Sequence, residues 1–402
     1  MKKFIVLLTF LLFTFTLFSQ IEQHEIVVIN VTVPVRVFDG KNFIDNLTIQ
    51  DFEVYQDGQL QDIKALYLTK KTQIERREEA RNYMPLVSRR FYFLFQILDY
   101  NPKLAEAMDY FFTQVLLPGD ALTVMTPMKT YNLSPKALKT KSKEALSNEL
   151  QSIIKKDTKI GASNYNSLLQ DLKRLVRSIS TFVRPGAGTE GATNTSAFGL
   201  EQMLPRYRDT VQQMERLRMV DEKKFFRFAA QLKRFEGQKN VFLFYQREFR
   251  PEIQPAILNR MLDLYQDNQN IQGQIQDLFQ VYHREISMNT DLLKQAFADS
   301  SLLFNFIFMN KEPENITGLN MREQSEDMFS IFSEVAQATG GIVDTSQNPA
   351  YAFKNASDIS ESYYLLFYSP ENYRRDGKFK NIEVKVKNKD YKIIYRRGYF
   401  AR

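Results

Sequence analysis

Few residues in this 402-residue chain are equipped for covalent or metal chemistry. Cysteine is absent and there are two histidines, His24 and His283. A zinc site or a thiol nucleophile is therefore excluded, and a Ser-His pair is not expected. The 47 Asp and Glu residues show no pair with a distinguishing spacing. The carboxylate set apart by its position is Asp99, which closes the apolar run Phe91–Asp99, FYFLFQILD, and is followed by Asn101-Pro102. Such an aromatic run reads as a strand buried on both faces. Polar residues just beyond a parallel strand's carboxyl end lie where α/β proteins place ligand sites. A second reading needs no ligand: Asn101 caps a helix with Pro102 at its first position, and Asp99 complements the helix dipole. The Gly-rich stretch 184–199 lacks the Gly-Lys-Ser/Thr of a phosphate loop and reads as a surface loop.

The elements around Asp99 follow from hydrophobic periodicity. Strand signals at 91–99, 121–126, 241–245 and 302–309 alternate with helical patterns, and Ile342-Val343 adds a short fifth strand. Helices are expected from 102 to 116, from 134 to 154, after a loop at Gly161–Asn164, and over 205–235; a Gln-rich helix follows through Ile271–Ile286. Alternation of this kind gives an α/β fold with a doubly wound, mostly parallel sheet.

Both chain ends carry strand patterns instead. In Ile26–Phe38, Val31, Val33, Val35 and Val37 share one face. Pro34 removes a ladder donor there, which points to an edge strand or a bulge. Asp39-Gly40 and Asp57-Gly58 are turn signals. Tyr363–Tyr368, Ile382–Lys387 and Tyr391–Tyr399 close the chain. Neither end has enough strands to bury a face alone. The expectation is a small β-sandwich made from both ends, 21–70 and 361–402, joined through a connector at 71–88, with the α/β domain at 89–360 inserted between them.

Residues 1–20 read as a signal peptide, with Lys2 and Lys3 before an apolar stretch about 15 residues long, short for a membrane span of roughly 20; an uncleaved anchor is the alternative. The chain is thus expected to be exported, periplasmic or secreted, and stabilised by burial rather than disulfides. Its net charge is +7. Residues 374–402 hold eleven Lys and Arg against three acids, either facing an acidic partner, anionic lipid or polysaccharide or forming a solvated strand face with Lys at an edge. Nucleic acid is not an expected partner.

The stretches VTVPVRVFDGKNFIDNLTIQDFEVYQDGQLQDI, LLPGDALTVMTP, AQATGGIVDTS and YYLLFYSPENYRRDGKFKNIEVKV with the closing RRGYFAR resemble the bacterial VWFA-related domain proteins. The resemblance runs from about residue 28 to the C-terminus. It implies an exported protein with a Rossmann-like, von Willebrand factor type A-like domain and, in the wider family, a metal-ion-dependent adhesion site that engages protein ligands. The family's Asp-x-Ser-x-Ser is here Asp99-Tyr100-Asn101-Pro102-Lys103, with a cation at the last position. Its loop Thr corresponds to Ser163, and its later Asp is replaced by Gln246-Arg247-Glu248. One Asp and one Ser beside a cation make a poor Mg²⁺ set. The expectation is a degenerate site with no cofactor, whose positions Asp99, Asn101, Lys103, Ser163 and Glu248 form a surface for a protein partner. The expected function is a non-enzymatic binding or adhesion-type scaffold. The alternative is a cell-envelope assembly component acting through helical insertions at about 200–235 and 252–287 and the basic sandwich.

Overall fold

The computed structural model describes residues 29–79, 85–183, 194–218, 220–282, 288–371 and 373–402. Residues 1–20, where a signal peptide is expected, both histidines and most of the Gly-rich stretch lie outside these residues. The chain opens with β1 (Val31–Asp39), β2 (Asn42–Phe43), β3 (Phe52–Gln56), β4 (Gln59–Gln61), β5 (Ile63–Lys70) and β6 (Gln73–Glu79). The middle section runs β7 (Arg89–Gln96), α1 (Lys103–Tyr110), β8 (Ala121–Met125), β9 (Thr130–Asn132), α2 (Pro135–Thr140), α3 (Lys143–Gly161), α4 (Ser163–Phe182), α5 (Asn194–Arg218) and α6 (Glu222–Lys233). It continues through β10 (Gln238–Gln246), β11 (Phe249–Ile253), α7 (Pro255–Leu264), α8 (Gln269–Val281), α9 (Thr290–Asp299), β12 (Leu302–Met309) and β13 (Leu319–Glu323). The last elements are α10 (Glu326–Thr339), β14 (Val343–Gln347), α11 (Pro349–Glu361), β15 (Ser362–Tyr368), β16 (Phe379–Val386), β17 (Lys392–Tyr395) and β18 (Gly398–Phe400).

The fold is mixed α/β. Its central sheet has the order β14-β12-β10-β7-β8-β9, parallel except for β9. Strand alternation divides the aromatics between two faces. Phe91, Phe93, Phe95, Phe242 and Phe244 pack under α1, α3 and α11. Tyr92, Leu243, Tyr245, Phe304 and Phe306 pack under α6, α9 and α10. Burial on both faces is why these strands read as continuous apolar runs.

Two further sheets, β17-β1-β15-β5-β6 and β18-β16-β3-β4, enclose one core that holds Val33, Val35, Val54, Leu66, Tyr364 and Val384. Strands from opposite chain ends pair directly: β1 with β15 and β17, and β3 with β16. The Tyr364 hydroxyl accepts from Leu47 N at 3.0 Å and donates to the Ile44 carbonyl at 2.9 Å.

Several expectations need correction. Residues 73–79 are not connector but β6, laddered to β5 at the sheet edge. β1 is not an edge strand. Pro34 lies one residue past the ladder between β1 and β17, which starts at Val35↔Tyr395. The Thr32 carbonyl points the same way as Pro34 and accepts from Arg396 at 2.6 Å, so the missing N–H faces a side where the ladder has ended. Gly161–Asn164 is not a loop: Ala162 keeps helical angles between α3 and α4. Residues 194–199 of the Gly-rich stretch are the first turns of α5.

Of the long helical insertions, α6 packs on the central sheet, while α5, α7 and α8 join α4 in a separate cluster. α4, α5, α7 and α8 bury Leu172, Val176, Leu204, Tyr207, Met261 and Ile275 against one another. They cover one face of the antiparallel ribbon β11–β13, whose strands follow β10 and β12 in the chain. Tyr207 and Tyr282 pin this cap to the ribbon through Pro251 O and Ile253 N.

Candidate functional site

The connection leaving β7 runs to β8 on one side, and that leaving β10 runs to β12 on the other. The crevice between the carboxyl ends of β7 and β10 is therefore the topological switch point. Asp99 stands on its β7 side and Gln246-Arg247-Glu248 on its β10 side. Gln246 bridges it. Its side-chain oxygen accepts from Leu98 N and Asp99 N, both at 2.9 Å, and its amide donates to Asp99 O at 3.2 Å. The backbone that presents Asp99 is thus fixed by a neutral amide.

The Asp99 carboxylate is exposed and pairs with Lys311 Nζ at 2.8 Å. Lys311 follows β12, and its ammonium also lies 5.6 Å from the Tyr165 ring centroid. Tyr165 itself is buried and donates to Phe249 O at 3.3 Å. Burial, and after it the balance of charges from Arg218, Glu248 and Asp99, holds its phenol well above the ordinary range.

Glu248 is 6% exposed. Its carboxylate accepts from Arg218 Nε, whose guanidinium also reaches Glu215 at 3.2 Å and Gln324 O at 3.1 Å. Glu248 N donates to Ser325 Oγ at 2.8 Å. Burial alone would lower the Arg218 pKa; the charges of Glu248 and Glu215 outweigh it and raise that pKa above its usual value. Tyr245 lies in the same pocket, and burial followed by the Glu248 charge pushes its phenol well up.

The structure brings together only part of the expected surface. Asp99, Asn101 and Lys103 share the start of α1, with Asn101 Oδ1 accepting from Lys103 N at 2.9 Å. Ser163 is exposed in the first turn of α4. Glu248 does not belong to that surface, because the cap and Arg218 enclose it. The donors do not fit a divalent ion: Asp99 is neutralised by Lys311, Glu248 by Arg218, and the Asn101 oxygen is used by α1. Among the described residues no cluster of three His, Asp or Glu is arranged to hold a metal.

No family model and no curated protein matches the chain. Among solved structures, the human COPII-coat protein Sec24c is similar at 7% identity and a TM-score of 0.28, over 80% of this chain and 44% of that one. This chain therefore spans less than half of that chain's length, and a likeness of this size carries no argument. Among the described residues no helix is long and apolar enough to cross a membrane.

Sequence reasoning missed Lys311 and Arg218, and named Gln246 without giving it a role. Lys311 was open to the same rule that singled out Asp99, since it stands two residues after the buried run LLFNFIFM. Arg218 carried no signal: it lies on a helix 30 residues before the carboxylate it neutralises.

Proposed function

We propose that this chain is an exported, non-enzymatic scaffold with a von Willebrand factor A-like domain that binds a protein partner without a metal ion. The observation behind this reading is the Lys311–Asp99 pair at the switch point. A built-in ammonium takes the place next to the carboxylate where a divalent cation would otherwise mediate contact. What remains accessible is a mixed-charge rim of Asp99, Lys103 and Lys311, suited to polar protein contact. The alternative, an envelope assembly component acting through the helical insertions, has less support because most of their apolar residues are buried, in the cap for α5, α7 and α8 and against the central sheet for α6.

The test is capture of a partner from the native cell envelope by the tagged full chain, with and without EDTA. Capture that persists in EDTA and is lost in Asp99→Lys/Lys103→Glu supports the reading. Capture that EDTA abolishes, or that ignores both substitutions, overturns it. Calorimetry with Mg²⁺ is expected to show no saturable site.

A further inference from the structure

A cavity of about 410 Å³ lies at the opposite, amino end of the central sheet. It is enclosed by the starts of β10 and β12 and by the outer face of the sandwich sheet. On that face strand alternation sets Thr32, Pro34 and Arg36 of β1 and Tyr363, Leu365 and Phe367 of β15, because Val33, Val35, Tyr364 and Leu366 point into the sandwich core.

Three cations line the cavity from within the protein. Arg36, Lys239 and Arg396 are 4%, 5% and 5% exposed. None has a carboxylate partner among the described residues. The Arg36 guanidinium lies 5.6 Å from the Tyr363 ring centroid, and its Nε is buried without a hydrogen-bond acceptor. Arg396 reaches Thr32 O and Ser301 Oγ but leaves its Nε unpartnered as well. Lys239 donates to Phe235 O at 2.8 Å. Two acids, Asp299 and Glu236, also line the cavity and offset the cations only in part, since burial still lowers Lys239 and Arg396. Asp299 is held by Lys233 Nζ at 2.7 Å and by Phe400 N at 2.8 Å, and Glu236 is exposed at the rim. Buried charges without counter-charges are costly, and proteins shed them unless something uses them. Burial also disfavours the charged forms of these cations. Burial lowers Arg36 to about 10. Burial, then the charges of Arg396 and Arg90, lowers Lys239 to about 8.

We propose that this cavity binds a small organic oxyanion, its carboxylate or phosphate group held among Arg36, Lys239 and Arg396 and its apolar body against Phe235, Leu302 and Phe367. The volume falls within the range of small-molecule pockets. The site is separate from the Asp99 rim and does not rest on the reading given for it.

The experiment is calorimetric titration of the full chain at pH 8.5 with phenyl phosphate, benzoate, inorganic phosphate and benzyl alcohol, in two buffers of different ionisation heat. At least one aromatic anion is expected to bind saturably at one site, more tightly than inorganic phosphate, while benzyl alcohol does not. Arg36→Met and Lys239→Met should each weaken that binding at least about tenfold, as losing a charge-assisted contact does; the surface variant Lys385→Met should not. Binding should take up protons, since the anion favours charged Lys239 over its neutral form amid Arg90, Arg396, Lys233, Asp299 and Glu236. Lys239→Met should abolish that uptake. If Arg36→Met does not fold, Lys239→Met and the proton uptake decide. No saturable binding of either aromatic anion, equal affinity in both variants, or inorganic phosphate binding as tightly as phenyl phosphate would overturn the proposal.

Discussion

Arg218 determines whether Glu248 can remain inside the protein. Removing the guanidinium leaves a buried carboxylate with no counter-charge, which costs about 3–5 kcal/mol. Arg218→Met should therefore lower stability by that order in urea denaturation, and Arg218→Met/Glu248→Met should recover most of the loss. A single variant as stable as the parent would show that Glu248 has another counter-charge. Lys239 makes a second prediction at this scale. Its folded pKa, about 8, lies below the ordinary 10.5. Between those values the unfolded chain holds the extra proton, so stability rises with pH across that window and is level in this term on either side. Lys239→Met should flatten the rise relative to the parent when both are melted from pH 7.5 to 10.5.

Among the elements, the junction of α10 and β14 is the tightest. Gly340 ends the helix in the left-handed conformation at φ 75°. A Cβ on Gly341 would lie 1.8 Å from the carbonyl oxygen of Phe304, on β12 of the central sheet. That oxygen cannot retreat without disturbing β12, so Gly341→Ala should cost at the upper end of the roughly 1–3 kcal/mol typical of overpacking. Thermal melts would check this, and an unchanged midpoint would mean that β12 yields. The buried strands were legible because burial on two faces demands particular residue types. β6 was not legible. QIERREE forms a strand because β5 offers it a ladder of backbone hydrogen bonds at a sheet edge, a position that tolerates charge. The ribbon strand FRPEI was hidden for a similar reason, since its pairing with β13 is backbone chemistry under a helical cap.

For the whole molecule, the pairing of opposite chain ends sets cooperativity. β1 and β3 gain their ladders from β15, β16 and β17, more than 300 residues away in sequence. Their amides should therefore exchange with deuterium as one unit with those of β15 and β16. Independent exchange of β1 and β15 would contradict this. Truncation before β16 should expose Val54 and Phe52 and destabilise the N-terminal strands along with the C-terminal ones.

Composition and periodicity by themselves determined which segments bury two faces, one face or none, and so the alternation of strands and helices and the strand character of both ends. They also placed Asp99 at a strand's carboxyl end, because an apolar run must close where solvent begins. Only the tertiary structure decided what meets Asp99 and Glu248. Lys311 and Arg218 reach them from 212 residues ahead and 30 residues behind in sequence, and no local pattern records such an approach. The fate of the insertion helices was also settled in space, since an apolar stripe states that it must be covered but not by what.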